Sequence, residues 1–126
     1  MERVSGIGGV FFRSRDPEAL TQWYARHLGI GDPDNPTAPW RQEAGITVWS
    51  AFASDTQYFG RQEQQWMINF RVPDLDAMLA QLRAADVEVL DVIEDTEYGR
   101  FGWVVDPEGN RIELWQPPSE EPPAST

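Results

Sequence analysis

Glu113 is the residue most in need of a chemical explanation. It stands between Ile112 and Leu114 in the stretch VVDPEGNRIELWQP (104–117), which reads as strand, tight turn, strand. A carboxylate on the inner face of a half-buried strand has three uses. It can hold a divalent metal, act as a general acid or base, or pair with a cation such as Arg13, Arg71 or Arg111. The other chemistry-bearing types narrow the field. There is no Cys, so thiolate nucleophiles and thiolate-bound metals are excluded. Every basic side chain is Arg, which excludes a Schiff-base lysine and a P-loop lysine. The single imidazole, His27, falls near the end of a predicted helix and is expected at the surface, where its charge suits the helix C-terminus.

The elements that must position these groups are legible in outline. GIGGVFFRS (6–14) reads as a strand. Asp16 then offers a helix N-cap, Pro17 a first helical residue and Glu18 an acid at the positive helix end. Ala19, Leu20, Trp23, Tyr24 and Leu28 recur at helical spacing, and Gly29 is the expected C-cap. A loop covers 31–39, and ITVWSAFA (46–53) reads as a strand by its β-branched and aromatic content. The polar segment 55–64 is expected to be a short edge strand and a connecting loop. QWMINFRVP (65–73) is a strand, Asp74 caps a second helix that ends near Asp86, and VEVLDVIED (87–95) alternates as a strand. RFGWVVD (100–106) and NRIELWQ (110–116) form a hairpin around Asp106-Pro107-Glu108-Gly109, with Pro presetting the turn and Gly at the positive-φ position. The tail from 117 to 126 is acidic and Pro-rich and is expected to be disordered.

The two halves repeat. An offset of about 58 residues places Phe12 on Phe70, Arg13 on Arg71, Asp16 on Asp74 and Ala19 on Ala77, all at one strand-to-helix junction. The expected organisation is therefore α+β, with two βαβββ modules over about 6–61 and 65–116 forming one domain over 1–116.

Composition bounds the function. A chain of 126 residues with 40% hydrophobic content can bury a core, and six Trp, six Phe and three Tyr suit a core, a ligand cavity or both. The formal charge of −11 disfavours nucleic acid as a partner and suits a cationic ligand, although a solubilising surface explains it equally. MERVSGIGGVFF lacks the apolar stretch of a signal peptide, and no run approaches the ~20 apolar residues of a membrane span, so a cytoplasmic protein without membrane contact is expected.

The paired βαβββ units, the first-helix stretch DPEALTQWYARHLGI and the closing VVDPEGNRIELWQP resemble the vicinal oxygen chelate superfamily. That group contains glyoxalase I, fosfomycin resistance proteins, extradiol dioxygenases and bleomycin resistance proteins. The resemblance covers about residues 6–116. It implies two curved half-barrels with the site on a concave face, and a binding groove formed at a homodimer interface. It also implies four metal-ligand positions, which fall at about Gly9, Trp49, Met67 and Glu113. Only Glu113 among these is a ligand type, so no metal and no cofactor are expected.

Strand parity then lists the cavity. With Glu113 inward, Arg111 and Trp115 share its face. Asn69 and Arg71 accompany Met67, and Phe11 and Arg13 accompany Gly9; Trp49, Trp103 and Trp115 are either core or stacking surfaces. Arg13 and Arg71 either clamp an anionic ligand or serve as paired structural ions. Tyr58, Phe59 and Tyr98 are expected near the cavity mouth, where a hydroxyl can donate, although loop tyrosines usually do not. The leading expectation is metal-independent binding of a small organic molecule, aromatic or cationic, by a homodimer, as in bleomycin-resistance-type sequestration. The alternatives are a glyoxalase-like lyase or isomerase using Glu113 as acid or base, and an interaction module with a filled core.

Overall fold

The computed structural model describes residues 1–35 and 37–119. Its first helix, α1 (Pro17–Leu28), begins and ends where its caps dictate. The Asp16 carboxylate accepts from the Ala19 amide, and Gly29 takes the left-handed conformation (φ 71°) that lets its N–H reach back to the last turn. The second helix, α2 (Leu75–Ala84), starts in the same way from Asp74, which accepts from the Ala77 amide.

Five strands form one sheet. They are β1 (Asn69–Arg71), β2 (Glu88–Val89), β3 (Glu94–Thr96), β4 (Gly99–Val105) and β5 (Arg111–Gln116). Their order is β1-β5-β4-β2, with β3 also on β4, and the sheet does not close on itself. β1 lies parallel to β5, and the other pairs are antiparallel. The alternating stretch 87–95 is two short strands. Val89 pairs with Val104 and Glu94 with Phe101, so the bulged side carries two extra residues between them. The β4–β5 turn places Gly109 at φ 84°, the conformation glycine adopts without strain.

One face of the sheet meets the helices. Val104, Ile112 and Leu114 pack against Leu75, Leu79 and Leu82 of α2 and against Leu20 and Tyr24 of α1. At that contact Gly102 leaves room for α2, since a Cβ there would lie 3.1 Å from a Leu79 methyl. The two ends of the fold are tied by the hairpin turn. Glu108 accepts from Ser14 Oγ (2.7 Å), the Arg15 amide (2.8 Å) and the Asp16 amide (3.2 Å), and so anchors the start of α1. Buried Asp106 accepts from the Tyr24 hydroxyl at 2.6 Å and from the Asn110 side chain at 2.8 Å.

The α+β class is as expected, and the second module is a complete βαβββ-type unit. The first half differs from expectation. Segments 6–14 and 46–53 make no ladder, and 65–73 contributes only Asn69–Arg71. A strand exists by hydrogen bonding to a neighbour, and among the described residues 6–14 and 46–53 have none. Their apolar side chains stand exposed, with Phe11 95%, Trp49 77% and Trp66 72% accessible. The expected disordered tail falls, from residue 120, outside the described residues. Among the described residues no helix is long and apolar enough to cross a membrane.

Candidate functional site

The face of the sheet opposite the helices carries Glu113, and the strand register decides what surrounds it. Asn69 on β1 and Trp103 on β4 both pair directly with Glu113 on β5. Residues directly opposite one another in a sheet lie on one face, so the three side chains form one row. The Asn69 side-chain amide donates to Glu113 Oε1 at 2.7 Å, and the Trp103 indole N–H donates to Oε2 at 3.1 Å. A third donor comes from outside the sheet: the Tyr58 hydroxyl donates to Oε2.

This arrangement explains how a carboxylate survives at 7% exposure. Burying an ionised group without partners costs far more than a hydrogen bond returns, and three donors meet most of the roughly four lone-pair directions of a carboxylate. No buried side-chain polar atom among the described residues lacks a partner. None of the arginines expected to pair with Glu113 does so among the described residues. Arg71 donates to the carbonyls of Glu43 (3.0 Å) and Ala44 (3.3 Å), passing over Gly45, where any side chain would block it. Arg111 donates to the Tyr58 carbonyl at 3.2 Å, and its backbone is gripped on both sides by the Gln64 amide. Arg13 is exposed and forms no ion pair among the described residues.

Aromatic rings enclose the carboxylate. The Tyr58 ring meets Trp103 edge-on at 6.1 Å, and Phe52 stacks on Tyr58 at 5.5 Å. In the next row Trp115 stacks on Phe101 at 6.1 Å and donates its indole N–H to the Tyr98 carbonyl. Burial pushes the Tyr58 hydroxyl well above the ordinary tyrosine range, and the hydrogen bond to Glu113 adds to the shift. Tyr58 therefore stays protonated and keeps donating across the physiological range.

Asn69, Trp103 and Glu113 are thus brought into contact, with Arg111 and Trp115 flanking them on β5 and Arg71 paired with Trp115. Met67 is half-buried just before Ile68, whose carbonyl accepts the Glu113 amide. Phe11 and Trp49 are not brought to the carboxylate's hydrogen-bonded cluster. Phe11 is exposed beside Gly9, and Trp49 packs on Trp66 at 6.1 Å. Tyr58 is the contributor that strand parity misses, because it sits in a segment of turns; the aromatic pair Tyr58 and Phe59 in the polar stretch 55–64 is the available signal. Two surface clefts lie along α1. One of about 510 Å³ is lined by Arg15, Trp23, Arg26, His27 and Glu108 among others. The other, of about 210 Å³, touches Phe11 and Phe12. Glu113 lines neither.

The family model for the glyoxalase-like domain matches residues 9–115. The chain belongs to the glyoxalase-like domain family. Solved structures agree at the level of the fold. TnmS3, an antibiotic binding protein from Streptomyces sp. CB03234, is 21% identical with a TM-score of 0.62, over 94% of this chain and 100% of that one. A member of the glyoxalase/bleomycin resistance protein/dioxygenase superfamily from Sphaerobacter thermophilus is 17% identical with a TM-score of 0.58, over 90% and 98%. A glyoxalase-related enzyme from Fulvimarina pelagi is 16% identical with a TM-score of 0.54, over 96% and 94%. No curated protein matches the chain.

Metal-dependent relatives in this superfamily would need a donor set here, and the residues present do not fit one. Two of the three groups around Glu113 turn N–H donors toward its oxygens, and the Trp103 indole has no lone pair to offer a cation. Among the described residues no three His, Cys, Asp or Glu side chains come together. The donor set of this glyoxalase-like site is built to hold a carboxylate.

Proposed function

We propose that the chain binds a small planar organic molecule on the face around Glu113 and needs no metal to do so. The observation that carries this reading is the Glu113 carboxylate itself, held rigid by Asn69 and Trp103 within an aromatic wall of Tyr58, Trp103 and Phe52. A fixed polar group among flat apolar surfaces is how small-molecule sites obtain both affinity and orientation. The fold shared with TnmS3, described as an antibiotic binding protein, supports sequestration as the class of activity by analogy.

A second copy of the chain is the proposed partner. Phe11, Trp49 and Trp66 expose more apolar surface than a lone soluble domain usually leaves open, and β1 has an unpaired edge. A homodimer would cover both and close the groove over Glu113.

The test is metal content together with thermal shift. Untagged protein should melt at the same temperature with added Ni, Zn, Mn, Co or Fe(II). One equivalent of bound metal, lost in Glu113→Gln, would overturn the reading. The Tyr58–Glu113 contact also favours a second reading, in which this proton donor and acceptor serve a lyase or isomerase reaction. Conversion of a small carbonyl substrate that disappears in Glu113→Gln would establish it.

A further inference from the structure

We propose that Tyr58 is a placeholder, and that the Glu113 site takes a planar cation whose N–H group displaces the Tyr58 hydroxyl. The inference rests on the reading of the Glu113 face just given and names its ligand class.

The three donors to Glu113 are not equivalent. Asn69 and Trp103 belong to strands paired with β5, so the ladder holds their backbones opposite Glu113. Tyr58 belongs to a segment of turns. It is tied by its own amide to Thr56 Oγ1 at 3.2 Å, by its carbonyl to Arg111 at 3.2 Å, and by the Phe52 stack. Gly60 lies within the segment at φ 89°, a conformation that glycine supplies without strain. Tyr58 can therefore swing away while every ladder bond stays formed.

Its departure leaves Oε2 with the Trp103 indole alone and opens a slot the width of a phenol ring. A buried carboxylate that loses a donor is destabilised, so the open arrangement favours a molecule that brings a donor of its own. A cation does this best. Glu113 has three neutral donors and no ion pair among the described residues, so an incoming N–H of a cation adds charge neutralisation to the hydrogen bond. The net charge of −11 draws cations toward the chain. A flat ring entering the place of Tyr58 inherits the Trp103 edge and the Phe52 face that the phenol now uses.

Benzamidinium is a suitable probe, with benzamide as its neutral isostere. Each is titrated into the full chain and followed by tryptophan fluorescence. Benzamidinium should bind roughly tenfold tighter than benzamide, and Glu113→Gln should remove the preference. Tyr58→Phe keeps the ring and loses the competing hydroxyl, so it should bind benzamidinium roughly tenfold tighter than the unsubstituted chain. In protein labelled with 3-fluorotyrosine, the Tyr58 fluorine signal should move to its solvent-exposed position as benzamidinium saturates. Weaker or unchanged binding by Tyr58→Phe, or a fluorine signal that stays in place at saturation, would make Tyr58 a fixed wall and overturn the proposal. Neutral aromatics binding on this face as tightly as benzamidinium would overturn the cation preference and leave the small-molecule reading standing. If neither cations nor neutral aromatics bind there, both readings fall.

Discussion

Asn69 and Glu113 face each other in register across β1 and β5, and the Asn69 amide nitrogen lies 2.7 Å from Glu113 Oε1. The parallel pairing that aligns the strands therefore also aims the carboxylate. Removing the donor should be felt in stability. Asn69→Leu should lower the unfolding free energy by about 1 kcal/mol, since it strips a donor from a buried acceptor that water can partly replace. Urea denaturation measures it, and unchanged stability would mean that Asn69 does not hold Glu113.

A second buried pair ties the helix to the hairpin. Tyr24 donates to Asp106 at 2.6 Å, and both are almost fully buried. Tyr24→Phe should cost about 1–3 kcal/mol, because Asp106 keeps its burial and loses a donor. A melting temperature equal to that of the unsubstituted chain would contradict this.

The same hydroxyl sets an alkaline limit. Burial first, then the hydrogen bond to Asp106, raises the Tyr24 ionisation far above that of a free tyrosine, and Tyr58 shifts in the same direction. The unfolded chain releases these protons from about pH 10 while the folded chain retains them. Stability contributed by the neutral hydroxyls is thus complete below about pH 10 and declines as pH rises toward the folded values. Unfolding free energy measured from pH 8 to 11.5 should fall, and Tyr24→Phe should make the fall shallower; an unchanged slope in that variant would contradict the assignment.

Glu108 sets an acid limit. Its hydrogen bonds from Ser14 Oγ and from the Arg15 and Asp16 amides hold its carboxyl below the usual glutamate range. A depressed folded value means that the stabilisation is present at neutral pH and disappears as pH falls below the ordinary range through the folded value. Glu108→Gln should loosen the start of α1 at pH 7 and show less further loosening at low pH. Amide exchange of residues 15–19 measures both.

Dimer formation is open to a direct check. Replacing Phe11 and Trp49 together with Ser should shift sedimentation from dimer to monomer while leaving the core intact, because both side chains are largely exposed and neither belongs to the buried cluster. A dimer that persists unchanged would place the interface elsewhere.

The caps, the closing hairpin and the core stripe were legible from local chemistry. Asp16, Pro17 and Gly29 bound α1 as their types require, and Asp74 does the same for α2. The absence of ladders at 6–14 and 46–53 was not, because residue types set the tendency to be extended while the ladder depends on a neighbour, and the described residues supply none. At the site, parity placed Asn69 on the cavity face with Glu113 and left Trp103 as either core or stacking surface, and the expected Arg partners gave way to neutral donors. Arg71 and Arg111 found backbone carbonyls within reach, a choice that depends on how 43–45 and 58–60 run in space. Local chemistry places Tyr58 only near the cavity mouth, since nothing local ties a turn residue to a strand 55 positions away.

The central claim is that Glu113 serves an organic ligand directly. Its most direct test is equilibrium binding of a panel of planar aromatic compounds to EDTA-treated protein, read by tryptophan fluorescence. At least one compound should bind saturably at one molecule per chain, and Glu113→Gln should abolish that binding. Binding that appears only after a divalent metal is restored would contradict it.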